Sequence, residues 1–491
     1  MIAGAYDSTR AQFVEADLTI IHTLVGDGSG EFFGYVANSI DDVDGDGVRD
    51  ILNGAPFSSF EGANAGRAYL NSGASGARLH VFAGNPGDYL GASVNDAGDL
   101  NNDGVHDIIL GGAGQPFNAS PGVNGRVVVY SGQSPYPELW SVNGEALNDQ
   151  FGYSVAGLMD DVNNDGFFDV LATAPQHDTS GVNAGRAYIL SGLDGAVLQT
   201  YDGVFTADNH GTAVESIGDI DGDGIRDVVV GARNAGNPRR GRVYVYSSAM
   251  GTLIHTLVPD NSAIDFGWFF MNSAGDADGD AYDDIYVSDF ADGVLGATTG
   301  KAYLFSGKTG LKIRHWQGAS AQQGFGIGRA VPDANNDDRA DVYVAAWVGD
   351  AGALNAGQGF LLSGRDGSVL QTMTCNIANT QAGYDAHGVG DVNGDGRPDF
   401  VLTGQGDSPA NIAAGNGVAY VLGGQVGGLR GDMNCDGVVS VSDIGGFVLA
   451  LTDAAGYAAQ FPDCEIHNAD VNGDKAVSVS DIGEFVALLV Q

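Results

Sequence analysis

Carboxylates and carboxamides recur in this chain on alternate residues of short glycine-containing runs. In Asp42-Val-Asp-Gly-Asp-Gly-Val-Arg-Asp50, acidic side chains occupy positions one, three, five and nine, and Gly47 occupies position six. Hard cations such as calcium take six to eight oxygen ligands at about 2.3–2.6 Å. A tight loop of this pattern supplies them from Asp42, Asp44, Asp46, the Val48 carbonyl and Asp50. The pattern returns six times, with candidate ligands Asp99, Asn101, Asp103, Val105 and Asp107; Asp161, Asn163, Asp165, Phe167 and Asp169; Asp219, Asp221, Asp223, Ile225 and Asp227; Asp276, Asp278, Asp280, Tyr282 and Asp284; Asp333, Asn335, Asp337, Arg339 and Asp341; and Asp391, Asn393, Asp395, Arg397 and Asp399.

The loops are not equivalent. Position six requires a left-handed backbone, which glycine adopts at little cost. Gly47, Gly104, Gly166, Gly224 and Gly396 meet this need, whereas the fifth loop carries Ala281 and the sixth Asp338. Weaker metal binding is expected at both, with Asp338 better tolerated because Asp visits that region more readily.

Successive loops start 57, 62, 58, 57, 57 and 58 residues apart, the signature of a repeat architecture. The fourth repeat runs from His210-Gly-Thr-Ala-Val through the loop to Val228-Val-Val-Gly-Ala232, then Gly241-Arg-Val-Tyr-Val-Tyr-Ser247 and Gly251-Thr-Leu-Ile-His-Thr-Leu257. Four short β-branched and aromatic runs between Gly, Asp, Asn and Pro clusters predict a four-stranded antiparallel sheet. Such sheets repeated radially make a β-propeller. First strands are expected to start at Phe33-Gly34, Leu90-Gly91, Phe151-Gly152, Phe266-Gly267, Phe325-Gly326 and Ala382-Gly383. The seventh repeat stops after Gly417-Val-Ala-Tyr-Val-Leu422, while Leu18-Thr-Ile-Ile-His-Thr-Leu24 near the N-terminus duplicates the fourth-strand run Leu253–Leu257. The N-terminal strand is therefore expected to complete the last blade, closing a seven-bladed ring and removing exposed sheet edges.

The formal charge is −41, from 62 acidic and 21 basic residues. Thirty of the acids occupy proposed metal-ligand positions, 24 in the seven loops and six in two C-terminal loops. Nine bound divalent ions would still leave about −23, too acidic for a nucleic-acid or anionic-membrane partner. No apolar run is long enough to insert in a membrane, and a monomer is expected. Met1-Ile-Ala-Gly-Ala-Tyr lacks the basic and apolar regions of a signal peptide, so a removed leader or a truncated start is expected. Three cysteines do not build a disulfide scaffold. Cys435 and Cys464 share one segment and could pair or stay reduced; Cys375 would remain outside such a bridge.

The Phe-Gly opening, the acidic loop and the following Gly54-Ala-Pro56, with variants Thr173-Ala-Pro175 and Gly231-Ala232, resemble FG-GAP repeats over residues 18–424. Such repeats form the propeller of integrin α subunits and of many bacterial surface proteins. The resemblance implies calcium loops joining first and second strands on one face of the disc. It places ligands on the opposite face, here near residues 57–65, 114–124, 176–184, 233–240, 289–299, 347–356 and 405–416.

Beyond the glycine-rich stretch 425–431, residues 432–491 change character. Asp432, Asn434, Asp436, the Val438 carbonyl, Ser440 and Asp443 have EF-hand-like spacing, with an apolar helical run from Ile444 to Leu451. The unit repeats as Asp470, Asn472, Asp474, the Ala476 carbonyl, Ser478 and Asp481, followed by Ile482–Leu489. Two loop–helix halves, each without a leading helix, resemble a type I dockerin. That resemblance implies a cohesin-like or cell-surface protein partner, contacted by Val441-Ser442, Val479-Ser480, Phe447, Val448, Phe485 and Val486. Lys475, in place of a loop glycine, and the linker residues Tyr457, Phe461, Pro462 and Cys464 depart from the pattern. A calcium-stabilised cap without a partner is the alternative.

The chain is thus expected to be mainly β: a seven-bladed propeller (1–424), a linker (425–431) and a small α-helical dockerin-like domain (432–491). Up to seven propeller sites and two C-terminal sites for Ca2+ are expected. The sequence lacks Gly-x-Ser-x-Gly, His-Glu-x-x-His and a phosphate-binding glycine loop. His22 and His255 sit at matching strand positions and read as structural. An extracellular or cell-surface, non-enzymatic adhesion protein that binds a carbohydrate or glycoprotein ligand is expected. A calcium-dependent polysaccharide lyase or hydrolase is the alternative, and Arg239–Arg240, the only adjacent basic pair, is its candidate centre.

Overall fold

The computed structural model describes residue 13 and residues 18–114, 123–405, 416–425, 430–435, 439–461, 464, 466–472 and 477–489. Seven four-stranded antiparallel sheets radiate from a common axis. Blade 1 runs outward through Ala37–Ile40, Asp50–Ala55, Arg67–Asn71 and Arg78–Ala83. The innermost strand of each blade touches that of the next, and blade 7 returns to blade 1. Second strands are packed between neighbouring blades, which is why they read as unbroken apolar runs: every residue of Asp227–Ala232 is buried. Fourth strands such as Glu138–Asn143 are more open and mix polar with apolar side chains.

Ring closure occurs as the sequence predicts. Ile20–Leu24 forms the outer strand of the sheet containing Ala382–Gly390, Asp399–Gly404 and Val418–Leu422. His22 pairs opposite Val421 beside an irregularity, and His255 pairs opposite Val245 beside the same irregularity in blade 4. Each ring packs against a turn glycine of the following blade. A methyl on Gly76 or Gly310 would lie 2.8 Å from the His22 or His255 ring. Both histidines are packing residues.

The Phe-Gly pairs correct one expectation. In blades 1, 2, 3 and 5 the first strand begins only at Ala37, Ser93, Val155 and Met271, whereas in blades 6 and 7 it begins at Phe325 and Ala382 as expected. Gly34, Gly152 and Gly267 have φ of 73°, 82° and 78°, a left-handed turn that delays the regular ladder. The preceding aromatic instead bridges to the glycine that opens the third strand of the previous blade, as Phe151 does with Gly125 and Phe266 with Gly241. A Cβ on Gly125 would lie 2.1 Å from the Phe151 carbonyl oxygen, so the repeated Gly-Arg or Gly-Lys glycine is required by contact between blades.

After the seventh sheet the described chain becomes helical: α1 (Ile444–Thr452), α2 (Ala454–Gln460) and α3 (Ile482–Leu488). Phe447 of α1 and Phe485 of α3 stack at 3.9 Å, 5° from parallel. Met433, Tyr457 and Ala469 complete this core. Cys435 and Cys464 are joined in a disulfide, and Cys375 is buried elsewhere. Helix α2 occupies what reads in sequence as a linker. The buried Tyr457 donates its hydroxyl to the Met433 carbonyl at 3.1 Å and anchors it.

Acidic loops and an aromatic axial cavity

All seven acidic loops join a first strand to a second, so they share one face of the disc. Each folds on its own hydrogen bonds. Asp42 Oδ1 accepts from the amides of Gly45 (2.7 Å) and Asp46 (3.1 Å), and Oδ2 accepts from Gly47 (2.7 Å). Asp44 Oδ1 accepts from Asp46 N, and Asp46 Oδ1 from Val48 N. The contacts to positions one, three and five recur from Asp99, Asp161, Asp219, Asp276, Asp333 and Asp391 onward, with Asn101, Asn163, Asn335 and Asn393 replacing Asp at position three. Val105, Phe167, Ile225, Tyr282, Arg339 and Arg397 hold position seven through N–H bonds to position five. Gly47 has φ of 90°, and Ala281 and Asp338 are held at 70° and 66°.

Position nine is the buried corner of each loop. Asp50, Asp107, Asp169, Asp227, Asp284, Asp341 and Asp399 are 0 % exposed. Burial raises each carboxyl: Asp50, Asp227, Asp284 and Asp341 to about 7, and Asp107, Asp169 and Asp399 to about 6. None forms an ion pair with Lys, Arg or His among the described residues. Buried carboxylates are ordinarily paired, protonated or bound to a metal. Three loops gather oxygens of three carboxylates within 4.8 Å of one another: Asp42, Asp44 and Asp50; Asp219, Asp221 and Asp227; and Asp276, Asp278 and Asp284. The donor set is all oxygen, the hard-ligand chemistry that could hold a divalent cation.

In the C-terminal loops, Asp443 and Asp481 play the corresponding role. Asp443 Oδ1 accepts from Met433 N and Asn434 N, and Oδ2 from Ser440 N at 2.8 Å. Asp481 accepts likewise from Asn472 N and Ser478 N. Asp432 and Asp470 are buried nearby in sequence. Ser440 and Ser478 also cap the short turns that lead into α1 and α3, accepting from Ser442 N and Ser480 N. Asp436, Val438, Asp474 and Ala476, with Gly437 and Lys475, lie outside the described residues.

The opposite ends of the same first and second strands frame a cavity of about 250 Å³ on the axis. Its walls are Tyr35, Tyr153, Trp268, Phe269, Phe290, Trp347 and Tyr384, and its floor includes Asn38, Asn95, Glu215 and Arg329. Tyr153 stacks on Phe269 at 5.3 Å, and Trp268 donates its indole N–H to the Tyr153 hydroxyl at 2.9 Å. Arg329 forms a forked pair with the buried Asp385. Burial pushes the Glu215 carboxyl up to about 7, partly offset by the Ser216 amide and Arg329. Of the predicted ligand-face loops, 57–65, 176–184, 233–240, 289–299 and 347–356 are described. Only the flanks of 114–124 and 405–416 are described. Arg239 and Arg240 do not converge on a common centre: one binds the Thr206 carbonyl and the other the Asn261 side chain.

This aromatic cavity is absent from the expectations drawn from sequence. Its signal was present in the residue after the repeat glycine, which is aromatic in Gly34-Tyr35, Gly152-Tyr153, Gly267-Trp268 and Gly383-Tyr384. Among the described residues, no helix is long and apolar enough to cross a membrane.

The FG-GAP repeat family matches residues 151–190 and 211–246. Integrin alpha-PS2 of Drosophila melanogaster is 30% identical over 230 residues, covering 42% of this chain and 16% of that protein. Integrin alpha-4 of Xenopus laevis is 32% identical over 197 residues, covering 37% and 18% respectively. Integrin alpha-V of Gallus gallus is 29% identical over 219 residues, covering 41% and 20%. The matched segments thus span only 16–20% of the length of these relatives.

Proposed function

We propose that this chain is an extracellular, calcium-stabilised ligand-binding or adhesion protein, in which a rigid disc carries metal on one face and ligand on the other. The observation that carries the reading is the set of seven fully buried position-nine carboxylates, without a basic partner among the described residues, set opposite an aromatic-lined mouth. Calcium in the acidic loops would neutralise those carboxylates. Modules of this kind bind it at about 10⁻⁴–10⁻³ M, which suits extracellular surroundings. Ion bound only by the folded state adds stability by mass action. Similarity to integrin α chains supports a protein or glycoprotein ligand, with carbohydrate included, on the face away from the loops.

In the same proposal, residues 1–424 form the propeller, 425–431 a linker, and 432–491 a dockerin-like module holding two further ions. Its support is internal symmetry. Val441, Ile444 and Val448 are 76%, 42% and 52% exposed, and their counterparts Val479, Ile482 and Val486 are 79%, 43% and 51% exposed. Two equivalent apolar patches suit a cohesin-like or cell-surface protein that docks on either half.

The test is binding of the purified chain to glycan and glycoprotein arrays in calcium and in chelator, with analysis of the arrays for cleavage products. Calcium-dependent binding without cleavage is expected. Cleavage would replace this reading with the polysaccharide-active enzyme, and binding unaffected by chelator would remove the metal from it.

A further inference from the structure

We propose that the axial cavity is a saccharide site, built to hold one sugar ring of a neutral disaccharide, with the next ring in an adjoining pocket. The inference deepens the ligand-binding reading above and rests on it.

The walls are two aromatic groups. Tyr35, Tyr384 and Trp347 form one aromatic group, with Tyr35–Tyr384 centroids 5.8 Å apart and Trp347 edge-on to Tyr384 at 5.6 Å. Tyr153, Phe269 and Trp268 form another, with Trp268 and Phe269 stacked at 4.9 Å. Sugar rings are amphipathic: C–H faces pack on aromatic surface while hydroxyls at the edge need hydrogen-bonding groups. A volume near 250 Å³ falls below the about 300–1,000 Å³ typical of drug-sized sites, which limits the occupant to a single ring.

The floor is polar. Inner-strand side chains mostly clasp the neighbouring blade: Asn38 donates to the Val94 carbonyl, Asn95 to that of Val155, Asn272 to that of Ala330, and Arg329 to that of Ala386. Glu215 makes no such clasp to blade 5. It accepts from its own neighbour, Ser216 N, at 3.2 Å and is hydrogen-bonded to the Asn95 side chain of blade 2, which leaves further acceptor positions of its carboxyl facing the cavity. A carboxyl so placed is available for a hydroxyl pair.

A second pocket of about 290 Å³ shares Tyr153 and Trp268 with the first. Gln150, Gln176, Asn209 and Arg233 line it, a carboxamide-rich set suited to hydroxyls. Arg233 covers the Trp268 ring at 4.2 Å. Arg329 at the floor is balanced by Asp385, so the guanidinium a cationic occupant meets is that of Arg233 at the shared wall. The neutral polyol is therefore favoured over a basic peptide.

The calcium-saturated full chain is titrated with cellobiose, lactose, chitobiose and mannobiose, and with N-acetyl-arginine amide as the cationic probe, by calorimetry and by quenching of the cavity tryptophans. Binding of at least one disaccharide is expected. Phe269→Ala and Glu215→Gln should each weaken it about tenfold or more, the loss that a buried contact or hydrogen bond carries. Leu311→Ala, at an exposed turn on the metal face, should leave it unchanged. Gln176→Ala should weaken disaccharide but not monosaccharide binding. Melting temperatures of all variants are compared with the parent so that lost folding is not read as lost binding. Disaccharide binding that survives both cavity variants overturns the site while leaving the ligand-binding reading intact. Binding of the arginine probe alone, or of array proteins without any saccharide, overturns the saccharide class. Silence on every array and titration overturns the ligand-binding reading itself.

Discussion

The Asp50 carboxylate accepts the Gly73 amide at 3.0 Å, tying the acidic loop of blade 1 to the turn beyond its third strand. The same bond joins Asp107 to Gly132, Asp169 to Gly192, Asp284 to Gly307, Asp341 to Gly364 and Asp399 to Gly424, and in blade 4 it joins Asp227 to Ser248. The other oxygen of Asp50 accepts from Val43 N at 2.9 Å. Asp50→Ala therefore leaves two buried amides without an acceptor, at about 1–3 kcal/mol each. Denaturant unfolding in saturating calcium should show this loss. A change within about 0.5 kcal/mol, as at an ordinary surface site, would contradict the role.

The raised position-nine carboxyls make stability without metal depend on pH. A carboxyl at about 6–7 in the folded state, against about 3.9 unfolded, favours folding fully only below about pH 4. That contribution is lost as pH rises through 6–7. In chelator, the melting temperature should fall between about pH 5 and pH 8, and calcium at pH 8 should restore it. Asp227→Asn, which keeps a neutral group in blade 4, should flatten part of the slope. A melting temperature that rises over this interval in chelator would refute the account.

The fifth loop should be the weakest propeller site. Ala281 is held at φ 70°, and the Lys308 ammonium stands 3.9 Å from Asp280, competing with a bound ion. Ala281→Gly relieves the left-handed strain, worth about 1 kcal/mol, and should tighten that site about fivefold in calcium calorimetry. Gly47→Ala should weaken the first site by a similar factor. Equal affinities in parent and Ala281→Gly protein would show that the backbone at position six does not limit binding.

Much of this organisation is legible in the chain because the repeat restates it. The acidic loops, the order of four strands and the transfer of Ile20–Leu24 to the last blade all follow from comparing one repeat with the next. The aromatic cavity is not repeated in that sense. Tyr35, Tyr153, Trp268, Phe269, Trp347 and Tyr384 come from five blades, differ in type, and meet only when the ring closes. In blades 1, 3 and 5 Phe-Gly reads as the start of a strand but turns left-handed before it, because contact with the preceding blade outweighs local β preference. Helix α2 was hidden for a related reason: seven residues containing a glycine have little helical propensity, and the burial of Tyr457 supplies what they lack.

The C-terminal module should unfold separately from the disc. Phe447→Ala removes half of the Phe447–Phe485 stack and should cost about 3–5 kcal/mol there. Calorimetry of the full chain is expected to show one transition lowered and the propeller transition unmoved. A single transition shifted as a whole would contradict the proposed boundary at residues 425–431.

The most direct test of the calcium-built disc is to count ions on the purified chain by elemental analysis and native mass spectrometry, before and after chelation, with thermal unfolding in parallel. Seven to nine calcium ions per chain are expected, with their removal by chelator and a marked fall in the melting temperature that added calcium reverses. A chain that holds no calcium at millimolar concentration, and melts at the same temperature with and without chelator, would contradict that expectation.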